Sequence, residues 1–165
     1  MALQTNQDLF HFDLSVALSM ERELEQILGT LAGEVQDQQL KQALQTHQQQ
    51  TQQHVQRMEQ ALQDLGKPPL NTTDQTVRGM KTQHDDFVQY HSPSKGVLTL
   101  FDAAAAHTSE EYEVTKYQAL IQTANHLNHG RIASTLQQNL QEDQQADQQL
   151  EGIIQQLHQQ TAGSS

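Results

Sequence analysis

The sequence contains no cysteine and few cationic side chains, and each scarcity excludes a class of protein. Without cysteine, the chain cannot form a disulfide scaffold or a zinc or iron–sulfur site built on thiolates. Its 9 lysines and arginines stand against 20 aspartates and glutamates, which gives a formal net charge of −11. Because phosphate backbones and anionic membrane surfaces are bound by clusters of basic residues, this balance argues against nucleic acid and membrane partners.

Long apolar runs are missing as well. No stretch approaches the roughly 18 apolar residues of a membrane-spanning helix. The first residues, 1–8, lack the cationic region and the apolar run of a signal peptide. We therefore expect a soluble cytoplasmic protein with a single domain over residues 1–160 and a disordered tail at 161–165.

Proline and glycine are scarce, so their positions divide the chain clearly. The stretches between them are rich in alanine, leucine, glutamate and glutamine, which favour helices, and no stretch alternates with the period of a strand. The 32 glutamines indicate solvated helix faces, because apolar residues recur at helical spacing through them. The breaks predict four long helices, near 5–30, 35–65, 96–127 and 130–159.

The lengths of the connections predict the topology. Short loops at 29–34 and 128–130 make the helices on either side of them antiparallel neighbours. The long link at 66–95 is a crossover along the bundle, and candidate N-caps at 71–74 start a short helix near 75–90. The expected fold is all-α: a ferritin-like four-helix bundle with a long crossover, containing a short extra helix, between the second and third long helices.

Each long helix carries an apolar stripe that polar residues interrupt near its middle. The ends of the stripes are apolar, so the interruptions fall at comparable heights if the four helices pack together. The interrupting residues are Glu21 in the first helix, His47 and His54 in the second, Glu110 and Glu113 in the third, and Asp143 and Asp147 in the fourth.

Five carboxylates facing one another in a core would repel, and each would lose its hydration. Two divalent cations would supply +4 against their −5, with neutral imidazoles as further ligands. A set rich in oxygen suits iron or manganese better than structural zinc. The sequence predicts a dinuclear site whose metal ligands are Glu21, His54, Glu110, Glu113, Asp143 and Asp147, with His47, Gln50 and Tyr117 as supporting residues or weak ligands.

A structural interpretation stands beside this one. Taken singly, Glu21 could be a boundary residue that reaches outward, and His47 and His54 could be core histidines with ordinary hydrogen bonds. Asp143 and Asp147 carry more weight, because like charges four residues apart on a helix destabilise it unless something binds them. Other carboxylates, Glu142 among them, are interpreted as parts of solvated faces.

The order and spacing of these residues resemble the YciE/YciF family of the ferritin-like superfamily over nearly the whole chain. This resemblance implies a ferritin-like bundle that pairs as a homodimer, a carboxylate-bridged dimetal centre and a role linked to stress. The residues that carry it are Leu9-Phe10, Glu21, Leu24, His47, Thr51, His54-Val55, Arg57-Met58-Glu59, Glu110, Tyr112-Glu113, Tyr117, Leu140, Glu142-Asp143 and Asp147.

The chain departs from the family pattern at several positions. Asp143 lies where the family tends to have glutamate, Gln50 lies where glutamate is usual, and Glu111 lies where histidine is usual. No Glu-x-x-His motif occurs, although well-characterised di-iron bundles supply that pair from two helices. Because Gln50 is neutral and a weaker ligand, one metal ion, or none, remains an alternative to two.

Two functions follow from this reading. The first is a dimetal-carboxylate protein of the stress response that reacts with dioxygen or peroxide. The alternative is a non-enzymatic bundle with a degenerate metal site that acts as a dimeric stress protein or binds a protein partner of unknown identity. An iron-storage cage would need further interfaces that a single sequence does not show.

Overall fold

The computed structural model describes residues 3–162, and these residues form five α-helices and no strand. The predicted all-α class is confirmed, and the predicted helix ends agree with the observed ones to within about one helical turn. The predicted tail at 161–165 starts within the last helix, which runs to Ala162, and 163–165 lie outside the described residues. The helices are α1 (Asn6–Glu34), α2 (Gln38–Asp64), α3 (Gln75–His91), α4 (Lys95–His126) and α5 (Gly130–Ala162).

The first connection lies later in the chain than the glycines at 29–33 predict. Helix α1 continues through Gly29 and Gly33 and ends at Glu34. A glycine inside a helix costs about 1 kcal/mol relative to alanine. Leu31 and Ala32, which lie between the two glycines, are buried in the core, and this burial keeps the segment helical.

The four long helices are in contact in a ring in which α1 packs against α2, α2 against α5, α5 against α4 and α4 against α1. The shorter α3 lies outside the ring against α1 and α4. Short connections at 35–37 and 127–129 make α1 and α2, and likewise α4 and α5, antiparallel. The described helices include none that is long and apolar enough to cross a membrane.

The link between α2 and α4 runs along α1. Near the start of the link, the Pro68 carbonyl oxygen lies 2.7 Å from His11 Nε2. Further along, Arg78 on α3 pairs with Glu23, with 2.9 Å between Nε and Oε1. The chain has therefore crossed from one end of the bundle to the other when α4 begins.

The core consists of two apolar clusters with a polar layer between them. One cluster includes Phe10, Leu14, Met58 and Leu136, and the other includes Leu31, Leu40, Leu44, Leu150 and Leu157. The charged side chains that interrupt the stripes of α1, α2 and α4 are buried in the layer between. The two clusters close that layer off from solvent at both ends of the bundle.

Candidate metal centre

Six titratable side chains from the four long helices meet in the polar layer. Each is at most 4% exposed, so all six have lost nearly all contact with water. Helix α2 contributes two imidazoles, α4 contributes two carboxylates, and α1 and α5 contribute one carboxylate each. The six residues are Glu21, His47, His54, Glu110, Glu113 and Asp143.

Helical periodicity brings these side chains to one place. His47 and His54 are seven residues apart on α2, two turns along the same face, and their ring centroids are 6.3 Å apart. Glu110 and Glu113 are three residues apart on α4 and also share a face. Two helices therefore supply four of the six groups.

The six residues divide into two groups of three. The Glu21 group consists of Glu21, His54 and Glu113, and the His47 group consists of His47, Glu110 and Asp143. Within each group, every residue offers one nitrogen or oxygen atom, and these atoms lie within 4.8 Å of one another. Each group combines two carboxylates with one imidazole, so each could hold a metal ion, and its charge would balance one divalent cation.

The distances between the donor atoms fit this use. His47 Nε2 lies 2.8 Å from Glu110 Oε1. His54 Nδ1 lies 3.4 Å from Glu21 Oε2. Two ligand atoms about 2.1 Å from one ion are about 3.0 Å apart at a right angle and about 3.4 Å apart in a tetrahedron. These pairs therefore have the spacing of atoms that share one cation.

Two carboxylates lie close to both groups. Glu113 Oε2, of the Glu21 group, is 3.8 Å from His47 Nε2. Asp143 Oδ1, of the His47 group, is 3.5 Å from His54 Nδ1. Neither oxygen of Glu113 or of Asp143 has a hydrogen-bond partner among the described residues. Both side chains therefore retain an oxygen for each group.

Most donor atoms of the centre are buried without a hydrogen bond from the described part of the chain. A buried polar group that lacks a partner costs about 1–3 kcal/mol, so a fold leaves few of them without a reason. A cation would satisfy all of these atoms at once. They are Glu21 Oε2, His47 Nδ1 and Nε2, His54 Nδ1, and both carboxylate oxygens of Glu110, Glu113 and Asp143.

The electrostatics of the polar layer also favour the binding of a cation. Burial raises the pKa values of Glu113 and Asp143 well above their usual range, and the neighbouring carboxylates raise them further. Burial lowers the pKa of His47, but Glu110 and Glu113 outweigh it and bring that pKa well above its usual value. Protons therefore bind tightly in this layer when no other cation does, and a metal ion would compete with them.

Hydrogen bonds hold the outer side of Glu21. Tyr117, which is fully buried, donates its hydroxyl hydrogen to Glu21 Oε1. Asn139 Nδ2 donates to the Tyr117 hydroxyl oxygen at 2.8 Å, and Asn139 Oδ1 accepts from Arg57 Nη1 at 3.0 Å. Burial, Glu21 and Asp143 raise the pKa of Tyr117 well above its usual value, which keeps the phenol protonated as a donor.

A second set of bonds holds the outer side of His54. His54 Nε2 lies 2.8 Å from Glu142 Oε2. Arg57 donates to both oxygens of Glu142, from Nη1 at 2.8 Å and from Nη2 at 3.0 Å. Burial raises the pKa of Glu142, but its bonds with Arg57 and His54 outweigh that effect and lower it. The interpretation of Glu142 as part of a solvated face is wrong.

Sequence reasoning did not single out Asn139 or assign Arg57 a role at the centre. Asn139 precedes Asp143 by four residues, so helical spacing already places the two side chains on one face of α5. The available signal was a polar side chain one turn from a proposed ligand.

The structure does not bring Asp147 into either group. Its Oδ1 lies 2.7 Å from His107 Nδ1, about one turn before Glu110 on α4 and one turn after Asp143 on α5. The Asp147 and His107 side chains are 28% and 26% exposed. Gln50 is partly buried on α2 and forms no hydrogen bond with the six residues among the described contacts. His47, expected as a supporting residue, is a full member of its group, and Tyr117 contacts Glu21 as a supporting residue would.

The register of α5 explains the position of Asp147. The predicted stripe and the observed one share Leu136, Asp143, Leu150 and Leu157. They differ in which residues between these four face the core. Leu140 is buried as predicted, so the stripes part at Asp147 and Ile154, which are only partly buried, while their neighbours Ala146 and Ile153 are buried. The buried stripe instead runs through Leu136, Asn139, Asp143, Ala146, Leu150, Ile153 and Leu157.

Three solved structures are similar to this fold. YcfI of Rhodopseudomonas palustris is 28% identical, with a TM-score of 0.85 over 90% of this chain and 94% of that one. The E. coli stress protein YciF is 23% identical, with a TM-score of 0.90 over 95% of this chain and 99% of that one. Protein XCC3681 of Xanthomonas campestris pv. campestris is 16% identical, with a TM-score of 0.77 over 97% of this chain and 98% of that one.

The chain therefore shares the fold of YciF. No curated protein matches the chain. The family described as "Domain of unknown function (DUF892)" matches residues 5–163, nearly the full length. The chain therefore belongs to the DUF892 family.

Proposed function

We propose that this chain is a ferritin-like dimetal-carboxylate protein of the stress response, which reacts with dioxygen or peroxide through iron or manganese held in the bundle core. One observation carries the proposal. Two adjacent groups of two carboxylates and one imidazole lie buried between the apolar clusters, with most of their donor atoms unpartnered among the described residues.

The donor atoms of the centre favour iron or manganese. Carboxylate oxygens with one imidazole per ion suit iron or manganese, and the absence of cysteine removes the ligands of thiolate zinc sites. Two bound ions of this kind supply the one-electron steps that the reduction of dioxygen or peroxide requires. Glu113 and Asp143 lie close to both groups and would bridge them.

The residues around the centre prepare it for this chemistry. The apolar clusters on either side exclude bulk water, which strengthens every electrostatic interaction in the layer. The Tyr117 hydroxyl is held between Glu21 and Asn139, so it can donate a hydrogen bond without moving. A phenol so close to the centre also offers a position for a proton or an electron during turnover.

The proposed stress role draws on the comparison with solved structures. YciF, whose fold this chain shares, is a stress protein, and this likeness supports a stress-related role here. The homodimer and the cytoplasmic location follow from the resemblance and from the sequence. Light scattering on the purified protein would measure its mass in solution, and a monomer would contradict the dimer.

Metal analysis of protein purified without chelators tests the proposal directly. We expect close to two equivalents of iron plus manganese per chain, and consumption of peroxide or dioxygen by the loaded protein. Asp143→Asn is the matched variant, because it removes a charge from the centre and keeps the size of the side chain. Less than about 0.3 equivalents of metal, even after anaerobic reconstitution, would contradict the proposal.

The non-enzymatic alternative draws on a specific feature. The predicted ligand Asp147 pairs with His107 instead, and Gln50, predicted as a supporting residue or weak ligand, is neutral, so neither adds charge to the centre. In this alternative the bundle acts as a dimeric stress or partner-binding protein. It predicts that Asp143→Asn leaves the melting temperature unchanged or raises it, with or without added metal, because repulsion among the buried carboxylates is reduced.

A further inference from the structure

The two groups of the centre differ in how the protein supports them. In the Glu21 group, Glu21 accepts from Tyr117, and His54 contacts Glu142. In the His47 group, the outer nitrogen of His47, Nδ1, has no hydrogen-bond partner among the described residues, and neither do the two oxygens of Glu110. Residues outside the centre therefore hold the side chains of the Glu21 group by hydrogen bonds, and those of the His47 group lack such support among the described residues.

The contacts of Glu142 determine which nitrogen of His54 faces the centre. Arg57 forms two parallel hydrogen bonds to the Glu142 carboxylate, an arrangement that fixes its plane. A carboxylate held in this way is an acceptor, so His54 Nε2 must carry the hydrogen in their 2.8 Å contact. The lone pair of a neutral His54 is then on Nδ1, which faces Glu21 and Asp143.

We propose that Glu142 and Arg57 are positioning residues for His54, and that they make the Glu21 group bind a divalent cation more tightly than the His47 group. The inference rests on the proposed function, since it concerns the same centre. A histidine that is already turned and protonated on its outer nitrogen loses less conformational freedom when it binds, and the carboxylate partner makes it a more basic ligand. His47 contacts Glu110 inside its group but has no partner on its outer nitrogen, so its orientation is fixed less firmly before an ion binds.

The proposal gives the centre an order of filling. The Glu21 group takes up the first ion, and the His47 group takes up the second at a higher concentration. The same difference makes the second ion the first to be lost to a chelator.

Cobalt(II) titration of the metal-free protein, followed by calorimetry and visible absorption, tests this order. The wild-type protein should show two binding events whose dissociation constants differ by about tenfold or more. His47→Ala should remove the weaker event and keep the tighter one. In that background only one event remains, so further substitutions can be read without overlap.

Glu142→Ala in the His47→Ala background should weaken the remaining event by about 10–100-fold, the usual effect of removing the partner of a ligating histidine. Glu142→Gln should recover part of the loss, since its amide oxygen still accepts from His54. Glu151→Ala is the control for charge, because Glu151 is exposed on the same helix, and it should change the constant less than about threefold.

A second measurement separates positioning from general stability. Two-bond ¹H–¹⁵N spectra of the metal-free protein should show the His54 proton on Nε2, and Glu142→Ala should abolish that preference while circular dichroism stays that of a folded helical protein. Equal constants in the wild-type protein, or an unchanged constant after Glu142→Ala, would overturn this inference alone. No cobalt(II) binding by the wild-type protein would overturn the proposed function itself.

Discussion

Tyr117 on α4 donates a hydrogen bond across the core to Glu21 on α1, so one oxygen of that carboxylate is held while the other faces the centre. The pair joins two helices that are adjacent in the ring but far apart in the sequence. A buried glutamate with one oxygen fixed cannot rotate, and this fixes the direction in which it offers its remaining oxygen. The bond therefore contributes to both the packing and the chemistry of the polar layer.

Tyr117→Phe should lower the free energy of unfolding by about 1–3 kcal/mol, since it leaves Glu21 Oε1 and Asn139 Nδ2 without their hydrogen-bond partner in the core. Urea denaturation measures the change. Tyr90→Phe is the matched control, because Tyr90 is 72% exposed, and it should change stability by less than about 0.5 kcal/mol. Equal effects of the two substitutions would contradict the buried hydrogen bond.

The metal-free protein should lose stability as the pH rises from about 5 to about 8. The pKa values of Glu113 and Asp143 are raised in the folded protein, so the folded state keeps protons that the unfolded chain has already released. His47, whose pKa is also raised, adds to the loss above its usual pKa of 6.5. Each pKa unit of difference contributes about 1.4 kcal/mol.

Melting temperatures in the presence of a chelator measure this dependence. Glu142 acts in the opposite direction, since its pKa is lowered, but its contribution is lost only at pH values near and below its usual pKa of 4.5. Added manganese(II) should raise the melting temperature more at pH 8 than at pH 5, because ions and protons compete for the same atoms. A melting temperature that rises steadily with pH in the chelator would contradict the buried carboxylate layer.

Asp143→Asn and Asp147→Asn should differ in their response to metal. Asp143 lies in the centre, so its replacement should abolish most of the stabilisation by manganese(II), which for one site at 100 times the dissociation constant is about 2.7 kcal/mol. Asp147 pairs with His107 outside the two groups, so the Asp147→Asn variant should still be stabilised by manganese(II). Thermal shift assays compare the two variants, and loss of the effect in Asp147→Asn would place that residue among the ligands.

Asp74→Ala should destabilise the protein by about 1–3 kcal/mol, since Asp74 caps α3 through the backbone N–H groups of Thr76 and Val77 and accepts from the Tyr112 hydroxyl. Asp37→Ala removes the cap of α2 alone and should cost less. The pKa of Tyr112, which burial and Asp74 raise to about 12, should fall in the first variant. Denaturant titration and phenolate absorbance measure the two effects.

The sequence predicted the helices and most of the centre because both depend on local periodicity. Glu21, Glu110 and Glu113 interrupt stripes that are apolar on both sides, although the sequence of α4 also offers a rival face through Phe101, Ala105, Thr108 and Tyr112. The cap at Asp74 was also visible, because aspartate before a helical segment is a strong start signal. These features need only the spacing of residues along one helix.

What the sequence could not give depends on how helices face one another. On α5, the predicted stripe fails at Asp147, where Ala146 is buried instead, and Asn139 is held in the buried layer by Tyr117 and Arg57, which come from other helices. Glu142 looks solvated on its own helix and becomes a partner of His54 only across the gap between α2 and α5. Contacts of this kind are set by the assembled bundle.

Helix α2 contributes both imidazoles of the centre and none of its carboxylates. Two positions on one rigid rod, about 10.5 Å apart along its axis, therefore reach into the two groups. Ions in both groups would link α2 to the other three helices at two points along its axis. Without them, the backbone amides of α2 near His47 and His54 should be among the first in the core to exchange with deuterium, and loading should slow them together.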